Sequence, residues 1–207
     1  QWHDSVFASF LEKLHFKKDF VEKGNYKFLS ETRSGIIAVH FNKEKGCDYI
    51  YGGGVFDGCF SVDPDAPNMI DRVYAIVSLH SAPKNILVIG LSSGSWVRAL
   101  TYSNVFEKID VVEINHGYLD LIKKYPEHSK IFTDPRVTIH IDDGRRWLYR
   151  SKNKYDFILM NTTFHWRSYI SNLVSSDFLK IIKSHLNPGG VVYYNTTNSE
   201  DIIYTAA

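Results

Sequence analysis

The stretch Lys84-Asn-Ile-Leu-Val-Ile-Gly-Leu-Ser-Ser-Gly-Ser-Trp96 decides the fold class of this chain. Its apolar run at residues 86–89 lacks polar alternation, which is typical of a strand that helices cover on both faces of a parallel sheet. The small residues at 90–95 predict a tight loop, and a helix is expected to begin next. This order opens nucleotide-binding α/β domains, because the loop lets a ligand approach the backbone and the helix start offers free N–H groups.

An acidic residue at the end of the next predicted strand supports a nucleoside site. Residues 108–114 predict that strand, and Glu113 lies 23 residues after Gly90. A carboxylate about 20 residues after the glycine loop binds ribose hydroxyls in dinucleotide-binding domains. The loop is not G-x-G-x-x-G, since Leu91 and Ser92 follow Gly90, so a dinucleotide is disfavoured. The alternative is an ordinary strand end with a solvated glutamate.

Composition bounds the class of protein. The 207 residues are enough for one α/β domain with a small addition, and 44% hydrophobic residues provide a large core. The net charge of +1 gives no electrostatic reason to expect a nucleic acid partner. No apolar run approaches the roughly 18 residues of a membrane helix, and no signal peptide is visible. Since the chain begins at Gln1, we expect it to be an excised or processed piece of a longer protein.

The two cysteines, Cys47 and Cys59, follow no zinc-binding pattern, and no metal is expected. They flank Gly53 symmetrically, so a hairpin over residues 49–56 would let them face each other. A disulfide between them would indicate an oxidising, extracytoplasmic compartment. We favour two reduced cysteines in a cytoplasmic protein, because nucleotide-derived cofactors are mostly intracellular.

The order of predicted elements divides the chain into three parts. Residues 1–25 are expected to form an N-terminal helix or linker, with an amphipathic helix at 4–14. Residues 26–63 predict a small antiparallel β domain. Its short strands are expected at 26–32, 35–40, 48–51 and 55–60. Residues 64–207 predict a doubly wound, mostly parallel sheet, because strands and helices alternate there.

The elements of the third part follow from hydrophobic periodicity. A first helix is expected from a cap at Asn68 to His80. The strands are expected at 86–90, 108–114, 136–141, 155–161 and 190–196. The later helices are expected at 94–102, 116–124, 143–150 and 168–186. Pro188-Gly-Gly190 predicts a turn before the last strand.

Candidate site residues follow the predicted strands, because ligands bind such sheets at the carboxyl ends of the strands. They are Gly90, Ser92, Ser93, Gly94, Glu113, Ile114, Asp142, Asp143, Gly144, Asn161 and residues 195–197. Asp142 and Asp143 either cap the following helix or accept a hydrogen bond from an adenine amino group, and each can take one role.

These motifs resemble the spermidine synthase (polyamine aminopropyltransferase) family over residues 26–198. The matching segments are Ile86-Leu-Val-Ile-Gly-Leu-Ser-Ser-Gly-Ser95, Val111-Val-Glu-Ile114, Ile141-Asp-Asp-Gly-Arg145, Tyr155-Asp-Phe-Ile-Leu-Met-Asn161 and Leu186-Asn-Pro-Gly-Gly190. The resemblance implies a Rossmann-like sheet of the methyltransferase type after a small antiparallel β unit. It implies S-adenosylmethionine, its decarboxylated form or methylthioadenosine as the ligand. It places the ribose at Glu113 and the adenine at Asp143, and a homodimer is expected from it.

Two acids that the family uses to bind and deprotonate a polyamine are absent here. The resemblance places Asn161 at the position of the aspartate that removes the proton, and Phe164 at the position of the aspartate that holds the amine. Asparagine cannot take a proton near neutral pH, so the usual base is missing. Ser93 stands where the family has an aspartate in the loop, and Ala75-Ile76 stands where the family has a Gln-Glu pair. We therefore expect a changed or lost acceptor site.

The stretch Asn161-Thr-Thr-Phe-His-Trp-Arg167 offers replacements for these acids. His165 is a candidate base, because the pKa of histidine lies near neutrality. Arg167 is a candidate group for a carboxylate or phosphate. The alternative is a lid loop without chemistry. This stretch also resembles bacterial spermidine synthase-like domains attached to a multi-spanning membrane segment.

Two functions follow from these observations. The first is an aminopropyl or methyl transferase, with Asn161, His165 and Tyr74 as candidate catalytic residues; Tyr74 and His80 resemble family positions in the helix between the two domains. The second is a catalytically silent binding domain of a membrane-attached protein, which the loss of both acids favours. An NAD-dependent oxidoreductase is disfavoured, because the third glycine and a Tyr-x-x-x-Lys pattern are missing.

Overall fold

The computed structural model describes residues 26–161 and 170–195. They form a four-stranded sheet in the order β1-β2-β3-β4 and a five-stranded sheet in the order β7-β6-β5-β8-β9. The first is antiparallel and the second is parallel throughout. The predicted fold class, an α/β protein with a small antiparallel β unit before a Rossmann-like parallel sheet, is confirmed. The predicted helix at 4–14 and the candidate base His165 lie outside the described residues.

The nine strands are β1 (Tyr26–Thr32), β2 (Gly35–Asn42), β3 (Cys47–Gly52), β4 (Val55–Cys59), β5 (Asn85–Ile89), β6 (Lys108–Glu113), β7 (Val137–Ile141), β8 (Tyr155–Met160) and β9 (Leu186–Tyr194). The α-helices of the described residues are α1 (Asp71–Tyr74), α2 (Ile76–Leu79), α3 (Ser95–Thr101), α4 (Gly117–Ile122), α5 (Pro126–Ser129), α6 (Gly144–Arg150) and α7 (Ser176–Ser184), and two 3₁₀ helices cover Lys130–Phe132 and Ile170–Val174. None of these helices is long and apolar enough to cross a membrane.

The described chain divides into two compact units. One unit contains the antiparallel sheet together with Ser92–Trp96 and Asn115–Ser129. The other contains the parallel sheet and the helices α2, α6 and α7, and it begins at Arg72. Each sheet therefore has its own core.

The antiparallel unit is organised by a tight hairpin and one covering helix. Gly53 and Gly54 connect β3 to β4 with φ of 58° and 81°, and two central residues with positive φ are what a type I′ hairpin requires. The core of this unit joins Ile37 and Ile50, both fully buried, to Tyr118 of α4. The sheet thus buries one apolar face against the helix, as alternating strands predict.

The parallel unit has β5 at its centre. Its residues from Ile86 onward are buried, because neighbouring strands flank it and helices pack on the sheet. Leu87 and Ile89 belong to one buried hydrophobic cluster with Met160 and Phe178. The chain runs outward from β5 through β6 to β7 and then through β8 to β9 on the other side. The strand order therefore changes direction between β5 and β8, which is where such folds bind ligands.

The helix predicted from Asn68 to His80 is wrong in its start and its continuity. The structure has two short helices instead, and α1 begins at Asp71. Asn68 does not cap a helix, because its Oδ1 accepts no hydrogen bond from a helix N–H among the described residues. Its Nδ2 instead donates to the carbonyl oxygens of Cys59 and Ser61, at 3.0 Å each. Met69 has a φ of 54°, which is incompatible with a helix at that position.

Two boundaries predicted near the end of the chain are also corrected. The last strand begins at Leu186, not at residue 190, because Leu186 pairs with Tyr155 while Val191 pairs with Phe157. Residues 187–190 bulge between these pairs, so Pro188-Gly-Gly190 is a bulge inside β9 rather than a turn before it. The helix predicted at 168–186 is interrupted in the described residues. A 3₁₀ helix covers Ile170–Val174, and α7 begins after Ser175, which is extended and whose hydroxyl caps α7.

Candidate functional site

The loop after β5 and the residue after β8 meet where the strand order changes direction. Asn161 donates its backbone N–H to the carbonyl of Ile89, at 2.9 Å. Gly90 has a φ of 96°, and a Cβ atom there would lie 2.6 Å from the carbonyl oxygen of Asn161. Only glycine fits this close approach of two backbones. The structure therefore brings together two of the residues that the sequence marked as site residues.

Glu113 ends β6 and is 5% exposed. Its Oε2 accepts a hydrogen bond from the backbone N–H of Leu91, at 2.7 Å. The backbone N–H of Gly90 donates to the carbonyl of Val112, at 2.9 Å. The carboxylate therefore holds the loop after β5 in place, a role that the sequence did not reveal. Ile114, the next residue, is half exposed.

The acidic pair after β7 starts the helix α6. Asp143 is the N-cap residue, and its Oδ1 accepts from the backbone N–H of Arg146 at 2.9 Å. Asp142 forms an ion pair with the side chain of Arg146, and its own N–H donates to the carbonyl of Glu113 at 3.1 Å. The capping role is thus present at Asp143. Gly144 packs on β5, since a Cβ there would lie 2.8 Å from Cγ2 of Ile89.

A chain of side-chain hydrogen bonds extends from Arg72 to the loop after β5. Arg72 donates from Nη1 to Oδ1 of Asn195, which is 4% exposed. Asn195 donates from Nδ2 to Oδ1 of Asn161, at 3.2 Å. Nδ2 of Asn161 in turn faces the carbonyl of Gly90, at 3.5 Å. The sequence did not point to Arg72. The only available signal was that a basic residue lies two positions before the candidate Tyr74.

Tyr74 is the last residue of α1 and is 40% exposed. Its catalytic role stays a prediction. The hydroxyl of Tyr194, near the end of β9, donates to the carbonyl of Leu173. Burial raises the pKa of Tyr194 to about 12, so this phenol is neutral at physiological pH and acts as a structural donor.

The serines that follow β5 belong to the antiparallel unit and are hydrogen-bonded within it. Ser92 donates from Oγ to the carbonyl of Asp57. Ser93 donates from Oγ to Oγ of Ser95, at 2.7 Å, and Ser95 donates to the carbonyl of Cys59, at 2.8 Å. These hydroxyls therefore anchor the loop to β4.

The same loop has left-handed backbone at two residues. Ser92 has a φ of 51° and Gly94 a φ of 72°. A serine in this region costs energy and persists only where neighbouring contacts enforce it, which is common in ligand loops. His128 also reaches the loop, with Nε2 3.0 Å from Oγ of Ser95. The described parts of the chain hold no group of three or more His, Cys, Asp or Glu residues suited to a metal ion.

A five-stranded parallel sheet in this order, with a glycine at its switch point and an acid ending the next strand, defines a Rossmann-like α/β protein of the methyltransferase type. The family model described as the spermine/spermidine synthase domain matches residues 72–206. The chain belongs to this family, and the resemblance noted from the sequence is confirmed.

Curated relatives match shorter segments of the chain. A spermine synthase of Arabidopsis thaliana is 36% identical over 114 residues, which are 54% of this chain and 32% of the relative. A polyamine aminopropyltransferase of Clostridium perfringens is 41% identical over 81 residues, 39% of this chain and 29% of the relative. The chain spans about a third of the length of these relatives.

Solved structures of the same type share the fold. A spermidine synthase in complex with the transition-state analogue AdoDATO superposes with a TM-score of 0.68 and 21% identity, over 82% of this chain and 57% of that chain. The spermidine synthase from Thermotoga maritima gives a TM-score of 0.63 and 20% identity, over 82% of this chain and 55% of that chain. At this level of identity the likeness concerns the fold alone.

Proposed function

We propose that this chain is a spermidine synthase-like transferase domain that binds a nucleoside ligand at the carboxyl edge of its parallel sheet. The ligand is S-adenosylmethionine, its decarboxylated form or methylthioadenosine. The acceptor site is altered, because an amide, Asn161, stands where the family resemblance places the base. The AdoDATO complex of the similar spermidine synthase supports the choice of ligand class.

The buried carboxylate of Glu113 beside the loop after β5 carries this proposal. One of its oxygens accepts the N–H of Leu91, and a carboxylate has about four lone-pair positions for hydrogen bonds. A carboxylate that holds the loop can therefore also take ribose hydroxyls. Gly90, which has no side chain, lets the backbones that follow β5 and β8 come together at this edge. Asp143 keeps a second carboxylate oxygen that could take the adenine amino group while the first caps α6.

Transfer from a sulfonium centre needs a nucleophile held in line with the leaving group more than it needs acid catalysis. An amine nucleophile must first lose a proton, and Asn161 cannot take it. His165 and Tyr74 are the remaining candidates for that task. The alternative function is therefore a binding domain without turnover. The absence of a carboxylate at residue 161 favours it, and binding without transfer to any acceptor would distinguish it.

Calorimetric titration with the three nucleosides tests the proposal. We expect binding to the wild-type chain and a loss of affinity of about tenfold or more in Glu113→Gln, since hydrogen bonds to a charged group are lost. Glu107→Gln is the matched control, because Glu107 is exposed and pairs with Lys84. It makes the same chemical change before β6, at the opposite edge of the sheet. Absence of binding by all three nucleosides at millimolar concentration would refute the proposal.

Three further expectations stay predictions. They are a homodimer, attachment to a membrane segment outside this chain and a cytoplasmic location. Sedimentation of the purified chain would report the first of them directly. The alternative to a cytoplasmic location was tied to a disulfide between Cys47 and Cys59, and in the structure both are free thiols.

A further inference from the structure

The hydrogen bonds that link Arg72, Asn195 and Asn161 run in one direction. A guanidinium group has only donors, so the atom of Asn195 that faces Arg72 must be the amide oxygen. The Nδ2 group of Asn195 then faces Asn161 and donates to its oxygen. Arg72 therefore determines the orientation of both amides. The shape of an amide side chain alone does not show which end is the oxygen and which is the nitrogen.

This orientation changes what the edge of the sheet offers to a ligand. The amide oxygens of Asn195 and Asn161 each accept a hydrogen bond from within the protein. What remains toward a ligand is mostly donors, since a guanidinium has five N–H groups and Arg72 uses one of them on Asn195. A site of donors suits an acceptor group such as a carboxylate and is a poor site for an ammonium group.

Arg72 also brings a positive charge to this place. The hydrogen-bond partner of Arg72 is a neutral amide, and among the described residues no ion pair includes this arginine. The acid of β8, Asp156, lies near the start of that strand and takes hydrogen bonds from Asn85 and Asn187 there. The acid ending β6, Glu113, is engaged by the loop after β5. Within the described structure, the guanidinium of Arg72 thus has no carboxylate in ion-pair contact.

We propose that the second ligand of this site carries a carboxylate group that binds the guanidinium of Arg72. The inference rests on the proposed function, because it takes the nucleoside as the first ligand. The planar fork of arginine matches two carboxylate oxygens, and such paired charge-assisted bonds are among the strong ones in proteins. A polyamine would instead bring like charge to Arg72, where residue 161 supplies no carboxylate, and that arrangement is repulsive.

Two small probes test this specificity. Putrescine and γ-aminobutyrate share an amino end and a similar chain length, but one ends in a second ammonium and the other in a carboxylate. Each is titrated calorimetrically into the chain with and without saturating methylthioadenosine. We expect γ-aminobutyrate to bind at least about tenfold more tightly than putrescine. Equal or tighter binding of putrescine, or no binding of γ-aminobutyrate, overturns the inference.

Variants identify Arg72 as the group responsible. Arg72→Gln is expected to lower the affinity for γ-aminobutyrate by about tenfold or more. The affinity for methylthioadenosine should stay within about twofold of the wild-type value. Asn195→Asp keeps the shape and gives the guanidinium an ion-pair partner, so it should abolish the preference for the acid while the fold is retained. Arg150→Gln removes one positive charge at the exposed C-terminal end of α6, at the other edge of the sheet, and is the matched control. Unchanged γ-aminobutyrate affinity in both Arg72→Gln and Asn195→Asp contradicts the assignment.

The experiments distinguish failure of the proposed function from failure of the proposed carboxylate specificity. If no nucleoside binds, the proposed function is wrong, and the comparison of the two probes without nucleoside still decides the role of Arg72. If methylthioadenosine binds and putrescine is preferred, the proposed function stands and the carboxylate specificity is wrong. Thermal unfolding of each variant verifies that a loss of affinity does not come from unfolding.

Discussion

The buried carboxylate of Glu113 accepts a hydrogen bond of 2.7 Å from the backbone N–H of Leu91, the second residue after β5. The bond joins the carboxyl ends of two neighbouring parallel strands at the point where a loop leaves the sheet. Under the proposed function, this acid would serve both the stability of the loop and the binding of a ligand. The effects of its substitution on the two properties can be measured separately.

Glu113→Gln is expected to lower the free energy of unfolding by about 1–3 kcal/mol, because a charge-assisted hydrogen bond to a buried N–H is weakened. Urea unfolding in the absence of ligand measures it. Glu107→Gln should change stability by less than about 1 kcal/mol, since its pair with Lys84 is exposed. Equal effects of the two substitutions would contradict a structural role for the Glu113 carboxylate.

Gly90→Ala is expected to destabilise the protein by about 2–4 kcal/mol. The added methyl group would meet the carbonyl oxygen of Asn161 at 2.6 Å, on a backbone with a φ of 96°. Gly46→Ala separates the two causes, because Gly46 has a φ of 64° and open space around it. That control should cost only about 1–2 kcal/mol for its left-handed backbone. Thermal or urea unfolding measures the loss of stability in each variant. Equal losses in Gly90→Ala and Gly46→Ala would contradict the close approach of Gly90 to Asn161.

Stability should fall at low pH through Asp134. A side-chain hydrogen bond from Arg136 holds the pKa of the Asp134 carboxyl below its ordinary value. A carboxylate with a lowered folded-state pKa contributes stability above its unfolded pKa, near 4, and loses it as the pH falls through the folded value. Asp134→Asn should therefore be less stable than wild type at pH 7, and the gap should narrow toward pH 3.

Urea unfolding across that pH range measures this gap. Asp177→Asn is the matched control, because its pair with Lys180 is exposed and should contribute almost nothing at pH 7. A gap for Asp134→Asn that stays constant with pH would show that the substitution acts through packing. Arg136 also donates to the carbonyl oxygens of Thr101 and Ser103, at 2.7 Å each, and these bonds remain at low pH.

Alkylation should distinguish the two cysteines. Burial and the neighbouring Cys47 thiol raise the pKa of the Cys59 thiol, so little thiolate forms at Cys59 near pH 8. Cys47 is only half buried. We expect iodoacetamide to modify Cys47 first and Cys59 only after unfolding in urea, as peptide mass spectrometry would show. Equal rates in the folded protein would contradict the buried position of Cys59.

Much of the fold follows from local pattern. The positions of the strands in both sheets were predicted to within a few residues, because hydrophobic runs and glycine turns act locally. The predictions that were wrong concern residues whose structure is decided by contacts with residues elsewhere in the chain. Asn68 resembles a helix cap, but its amide is used by the carbonyls of Cys59 and Ser61. Pro188 resembles a turn residue, but pairing of Leu186 with Tyr155 extends the strand past it.

The candidate site divides in the same way. Gly90, Glu113 and Asn161 could be found from sequence, because each directly follows or ends a predicted strand and parallel strands end at one edge. The hydrogen bond from the Glu113 carboxylate to Leu91 could not, since strand pairing decides which loop an acid reaches. Arg72 was not found either, because a basic residue at a helix start is common and indicates no function by itself.

The sequence by itself determined that residues 86–89 form a strand buried on both faces and that an acid ends the next strand, because periodicity and residue type are local properties. Only the tertiary structure decided that Arg72 meets Asn195, which is 123 residues away in the chain. That contact depends on the order of the strands and on the bulged register of β9. Its physical basis is a hydrogen bond between side chains brought together by the sheet, so no local pattern contains it.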